Sequence, residues 1–263
     1  MDFIRAIILG IVEGLTEFLP ISSTGHLILV NHWISFSSDF TPVFDVVIQV
    51  GAILAVVVYF WRKLFPFGKS HVERHQAILT WKKTLIGVLP AILVGGLFGG
   101  MISRSLFNPL VVALALLIGG VVLIVVDRWY RRPRVDSIHK LTYKMAFGIG
   151  LIQCFAMIPG TSRSAATIIG AMLLGASRFV AVEFSFFLAV PTLIAASAYS
   201  LLKHHELFTG AQIELLAVGF VTSFIVALAV IAGFMNYISR KDLKVFGWYR
   251  IVLALIVLGC IGL

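Results

Sequence analysis

Charge is scarce in this sequence. Only 13% of its 263 residues are charged, and Asp and Glu together number 12, about half the charged share of a soluble domain. So few charged side chains exclude an ordinary water-exposed surface. Cysteine is scarcer still. Cys154 and Cys260 both lie in apolar stretches and offer neither metal-ligand spacing nor a disulfide framework, so they read as small packing residues. Residues 1–20 have no basic leader and carry Asp2, Glu13 and Glu17, so they read as mature sequence rather than a cleavable signal.

What remains is apolar: 60% of residues are hydrophobic and the mean hydropathy is +1.03. Runs at 44–60, 110–126, 215–238 and 248–263 approach or reach the roughly 17 to 25 residues that cross a hydrocarbon core of about 30 Å. The basic surplus, 21 Lys and Arg, is not spread evenly. Arg62, Lys63, Lys69, Arg74, Lys82 and Lys83 fall in one connection. Arg128, Arg131, Arg132, Arg134, Lys140 and Lys144 fall in a second, and Arg240, Lys241 and Lys244 in a third. The intervening connections near 31–43, 103–109 and 203–214 hold almost none. That alternation is the positive-inside pattern and places the basic connections in the cytoplasm. It makes nucleic acid the poorer explanation of the surplus.

The chain matches itself at an offset of 140: Gly10 falls on Gly150, Glu13 on Gln153, and Phe44, Val50, Ala55 and Tyr59 on Phe184, Val190, Ala195 and Tyr199. PISSTGH from Pro20 aligns with PGTSRSA from Pro159 after a one-residue gap. Chance likeness between apolar helices is the competing explanation, but the matched features keep their order. The expected fold is therefore an all-α polytopic membrane protein with an inverted-topology repeat. The first repeat is 1–130, with a re-entrant helix hairpin at 3–33 and spans at 44–60, 85–102 and 110–126. A basic cytoplasmic linker follows at 131–144. The second repeat is 145–263, with a hairpin at 145–177 and spans at 182–202, 215–238 and 248–263. Each hairpin segment is broken by Pro and a run of Ser, Thr and Gly, which leaves a kinked span as the alternative; in the hairpin reading the two tips meet near the midplane, buried in protein.

Glu13 and Glu17, four apart on one helix face, are placed to hold a divalent cation, Mg2+ or Ca2+, unless they are merely solvated by a wet vestibule. Ser22, Ser23, Thr24, Gly25 and His26 follow Pro20. Any one hydroxyl there is an ordinary helix cap. Together with the amides of a helix start they make an anion site, and a hydroxyl beside an imidazole suits phosphoryl or acyl transfer. The second tip repeats the pattern with Gly160, Thr161, Ser162 and Ser164, and adds Arg163, whose fork suits phosphate oxygens; a structural salt bridge to Glu13 or Glu17 is its alternative role. The set as a whole suits a phosphate ester or diphosphate.

The chain closely resembles the undecaprenyl-diphosphate phosphatase family, the bacterial bacitracin-resistance proteins. The resemblance runs nearly end to end through EGLTEFLPISSTGH at 13–26, FDVVIQVGAILAVV from 44, PGTSRSAATI at 159–168 and EFSFFLAVP from 183. It implies hydrolysis of undecaprenyl diphosphate to the monophosphate in the bacterial inner membrane, recycling the lipid carrier of cell-wall synthesis, with a divalent cation and a site open to the periplasmic face. It puts Glu13 and Glu17 on the acidic motif, Ser23 and His26 on the hydroxyl and imidazole positions, and Arg163 on the essential arginine. Ala165 departs from the usual glycine of that tip. A second class of membrane lipid phosphatases pairs SRxxxxxH with an SGH-like motif; Ile169 stands where its His belongs. The leading mechanism has Ser23 attack phosphorus with His26 or Glu17 taking the proton, Glu13 and Glu17 on the metal, and Arg163 neutralising phosphate. His26 or a metal-bound water remain alternative nucleophiles. Competing functions are a lipid-phosphate transporter, alone or in addition, and a non-catalytic lipid-binding protein. The expected partners are a polyprenyl diphosphate and membrane lipid, not nucleic acid, and a homodimer is compatible with the sequence.

Overall fold

The computed structural model describes residues 1–37, 39–68, 70–106, 108–129, 133–203 and 209–261, without the side chains of 103, 104, 203, 260 and 261. Lys69, Arg131 and Arg132 of the basic connections and the Cys260 side chain lie outside the described part, as do parts of the connections at 103–109 and 203–214. Helices follow one another as α1 (Asp2–Thr16), α2 (Ser23–Ile34), α3 (Phe40–Tyr59), α4 (Trp61–Leu64), α5 (His71–Leu106) and α6 (Pro109–Trp129), then α7 (Tyr143–Gln153), α8 (Arg163–Leu173), α9 (Arg178–Lys203), α10 (Gly210–Ile238) and α11 (Lys244–Ile261). Short 3-10 turns occupy Ile138–Lys140 and Cys154–Met157. Among the described residues there is no strand, only an isolated bridge between Val135 and Ala176. The protein is an all-α, multi-pass membrane protein.

Five described helices, at Phe40–Tyr59, His71–Ile102, Pro109–Trp129, Arg178–Leu202 and Gly210–Ile238, are long and apolar enough to cross a bilayer. The expected sixth span at 248–263 falls on α11, whose end lies partly outside the described residues; α11 carries Lys244 and a fully buried Arg250. α5 begins 14 residues before the expected span at 85–102, because the basic stretch from His71 is itself helical. Large apolar side chains such as Leu89, Ile92 and Leu97 on α5 and Ile118 and Val121 on α6 are exposed and form the surface that faces lipid.

In lipid, helices gain little from burying apolar area, so close packing at small residues carries association. A Cβ on Gly10 would stand 2.8 Å from the Gly219 carbonyl oxygen, and one on Gly14 2.8 Å from that of Ser223, so α1 lies against α10 backbone to backbone. α3 packs on both α9 and α10, α7 on α5, and α6 on α11. The centre is α9, where Val180 to Val190 are almost completely enclosed and Phe184, Phe186 and Phe187 fill the space between helices. Ion pairs anchor the start of α9: Lys63 binds Glu183, and Arg178 Nε donates to Asp127 Oδ1 of α6 at 2.6 Å. Lys83 Nζ donates to the His139 carbonyl at 3.0 Å.

Both broken segments stop for the same local reason. Pro20 and Pro159 disfavour a helical residue before them and cannot donate an amide. The chain then re-enters a helix through Ser22 (φ 73) and Ser162 (φ 70), the two non-glycine residues with positive φ among those described. Each of these serines is a cap: Ser22 Oγ accepts the Gly25 amide at 3.3 Å and Ser162 Oγ that of Ala165 at 3.2 Å. They stand 140 residues apart, so the two breaks correspond without the one-residue gap expected from the prolines. Ser23 and Arg163 thereby become equivalent first residues of α2 and α8.

Gly51 of α3 tests the packing argument, since a Cβ there would meet the Phe220 carbonyl oxygen of α10 at 2.5 Å. Gly51→Val is expected to cost about 1 to 3 kcal/mol of stability, read as a lowered unfolding temperature in detergent.

Candidate active site

The site forms where the two capped tips touch. Glu17, one residue beyond the end of α1, is almost fully buried and is bonded on both oxygens. Ser23 Oγ donates to its Oε2 at 2.6 Å, and Arg163 Nη2 donates to its Oε1 at 3.1 Å. One carboxylate thus joins the leading residues of α2 and α8. Arg163 also donates through Nη1 to the Ser185 carbonyl at 2.9 Å, and its guanidinium lies 5.8 Å from the Phe18 ring centroid. Its Nε is buried and has no acceptor within the protein. Ser164 Oγ donates to the Leu19 carbonyl of the other tip at 2.8 Å and receives the Ser162 hydroxyl at 3.0 Å.

Several sequence expectations hold as placements. Glu17, Ser23 and Arg163 come together, and the salt bridge considered for Arg163 exists, to Glu17. Thr24 is exposed, Gly25 buried, and Thr161 half-buried at the tips. Three corrections follow. Ser23 and His26 do not pair: His26 Nδ1 lies 2.7 Å from the Ser22 carbonyl and Nε2 lies 2.7 Å from the Tyr249 hydroxyl. Because a carbonyl only accepts, Nδ1 carries the proton, and Nε2 accepts from Tyr249, whose ring stacks on the imidazole. Ser162 and Ser164, expected among the phosphate-binding residues, direct their hydroxyl protons to Ser164 and to the Leu19 carbonyl, whereas Ser22 Oγ only accepts its cap amide and its hydroxyl can still donate. Gly160 (φ +91) has its close approach to α6 rather than to a ligand; a Cβ would meet the Val112 carbonyl oxygen at 2.5 Å. Ala165, the departure from the usual glycine, is buried within the main apolar cluster, which accommodates its methyl.

Arg250 was missed. It is fully buried on α11 and donates to four backbone carbonyls: Leu116 and Ala115 of α6, Pro20 of the first tip and Gly160 of the second. The Pro20 and Gly160 carbonyls lie in the non-helical tips, and backbone groups of that kind need partners in a membrane, whereas those of Ala115 and Leu116 belong to the continuous helix α6. The signal was present, because a lone arginine inside the apolar run at 248–263 is costly unless it is used.

Among the described residues no three His, Cys, Asp or Glu side chains gather in a metal-holding arrangement. Glu13, however, is 1% exposed and neither of its carboxylate oxygens has a partner. Hard cations such as Mg2+ need few protein carboxylates because water and phosphate oxygens complete their shells, so the oxygen donors present fit one.

The family description "Bacitracin resistance protein BacA" matches residues 6–256. The chain belongs to the BacA family. A relative from Clostridioides difficile (strain 630), named undecaprenyl-diphosphatase 1, is 51% identical, with 98% of this chain and 96% of the relative covered. An undecaprenyl-diphosphatase from Limosilactobacillus fermentum is 49% identical across 100% of this chain and 99% of its own length. One from Pseudomonas paraeruginosa is 46% identical across 97% and 92%. A BacA-family fold in which one arginine serves both tips makes a specific demand. Arg250→Ala is expected to destabilise the protein by about 3 kcal/mol or more, since it strands buried carbonyls; Arg250→Lys recovers only part, because one ammonium cannot reach four acceptors. Thermal unfolding in detergent measures both.

Proposed function

We propose that this membrane protein hydrolyses undecaprenyl diphosphate to undecaprenyl phosphate and inorganic phosphate, returning the lipid carrier to cell-wall synthesis and conferring bacitracin resistance. The observation that carries this reading is the polarity around Glu17. Arg163 has a buried, unpartnered Nε donor, Glu13 one turn before Glu17 has two unpartnered acceptor oxygens, and Ser23 is hydrogen-bonded to Glu17. A diphosphate carrying a cation is complementary to all three. The names of the relatives favour hydrolysis over transport or passive lipid binding.

Ser23 Oγ attacks the terminal phosphorus while its proton passes to Glu17 Oε2 across the 2.6 Å contact. The bond from that phosphorus to the bridging oxygen breaks and undecaprenyl phosphate leaves; water then cleaves the phosphoserine and releases inorganic phosphate. Arg163, together with the amides at the starts of α2 and α8, neutralises the phosphoryl oxygens, with Thr24 exposed and Thr161 half-buried at the tips and Gly25 buried behind them. A divalent cation, Mg2+ or Ca2+, supplies further charge neutralisation on the Glu13 side when bound. His26 fixes the tip through Ser22 and Tyr249 rather than acting on Ser23.

The same reading takes 1–130 and 145–263 as halves inverted across the membrane plane, joined by the basic linker at 131–144. The segments 3–33 and 145–177 are then re-entrant hairpins, and α11 is a sixth span. Three observations support it. α1 lies on α10 while α7 lies on α5. Gly10 and Gly150, equivalent in the two halves, make those close approaches. The Lys63–Glu183 and Arg178–Asp127 pairs hold the first basic connection and the end of α6 at the start of α9, which is the cytoplasmic end by the positive-inside rule. The tips then open to the outer face of the inner membrane.

Phosphate release by the purified protein in detergent tests the activity. Glu17→Ala, Ser23→Ala and Arg163→Ala are each expected to lower it about 10²- to 10⁴-fold, and radiolabelled substrate is expected to mark Ser23. Near-normal turnover in Ser23→Ala would remove the serine from its role. Orientation is read separately: a cysteine at Thr24, in a chain with Cys154 and Cys260 replaced, is expected to react with an impermeant maleimide from the outer side only.

A further inference from the structure

Two acids near the tips are not alike. Glu17 has a donor on each oxygen, whereas Glu13, one turn earlier on α1, has none. Asp45 stands in the first turns of α3, which packs on α1, and its charge reaches Glu13 less strongly than that of Glu17. Asp45 Oδ2 accepts from Asn31 Nδ2 of α2 at 3.0 Å. Only the amide's NH2 can donate to a carboxylate, so the orientation of Asn31 is fixed and its Oδ1 is the end left over. That Oδ1 and the Asp45 Oδ1 are both buried without partners. Three helices therefore contribute four buried oxygens, two from Glu13 and one each from Asp45 and Asn31, and none of the four has a donor.

Buried acceptors without donors are costly, and two neighbouring carboxylates add repulsion. A cation relieves both, whereas a phosphate oxygen would worsen both. We propose that the divalent cation is held by Glu13, Asp45 and Asn31, and not by the Glu13–Glu17 pair that the spacing on α1 indicates. This rests on the cation-assisted phosphatase reading and divides the labour within it: Glu17 serves Ser23 and Arg163, and the cation sits one helical turn away on the α3 side. Two carboxylates and an amide oxygen, with no imidazole or thiolate among them, suit Mg2+ or Ca2+ rather than a softer metal.

Binding of Mn2+, followed by electron paramagnetic resonance on the full chain in detergent and displaced by Mg2+ or Ca2+, reads the site without turnover. Asp45→Asn is expected to weaken Mn2+ about tenfold or more and Asn31→Leu several-fold, while Glu17→Gln changes it less than about threefold. Asn31→Asp adds a carboxylate and is expected to tighten binding, an effect that misfolding cannot imitate. Wild-type affinity in Asp45→Asn, or no gain in Asn31→Asp, overturns the proposal. Loss of binding in Glu13→Gln and Glu17→Gln alone overturns it while leaving the cation-assisted reading intact. Absence of saturable binding in the unaltered chain overturns both.

Discussion

The two oxygens of Glu17 hold the centre of this protein together. One takes the hydroxyl of Ser23 at 2.6 Å and the other the guanidinium of Arg163 at 3.1 Å. Those residues begin α2 and α8, so a single carboxylate fixes the separation and mutual orientation of two helix starts that are 140 residues apart in sequence. A buried carboxylate bonded this way is stabilised only if both partners stay in place. Everything that positions the tips, from the caps at Ser22 and Ser162 to the contact of Ser164 with Leu19, serves that condition.

The membrane sharpens the demand. Irregular backbone between α1 and α2, and between α7 and α8, exposes carbonyls that lipid cannot satisfy. Arg250 answers for both breaks at once, because its side chain reaches Pro20 on one tip and Gly160 on the other. Apolar area does not drive helices together in lipid, so glycine surfaces bring α1 against α10 and α3 against α10 closely enough for these polar contacts to be made inside. Backbone strain at Ser22 and Ser162 is tolerated where capping and the meeting of the tips over-determine it.

Much of the site was legible in advance. Acids in an apolar chain are expensive, so Glu13 and Glu17 declared themselves by composition alone, and the hydroxyl-rich breaks after Pro20 and before Arg163 marked where helices start. Spacing along one helix is a poor guide to partnership, however. Glu13 and Glu17 are one turn apart, yet Glu17 is committed to residues from α2 and α8 while both oxygens of Glu13 are left without a donor. His26 is three residues from Ser23 and on the same helix, but its imidazole turns to Tyr249 of α11.

The sequence by itself determined the class of protein, the places where helices break, and which polar residues needed an explanation, because hydropathy, proline and buried charge act locally and leave local signatures. Tertiary structure alone decided who pairs with whom. A carboxylate takes the nearest donor in space, and that donor is set by which helices pack together: α8 delivers Arg163 to Glu17, and α11 delivers Arg250 to both tips. No pattern along the chain encodes those distances.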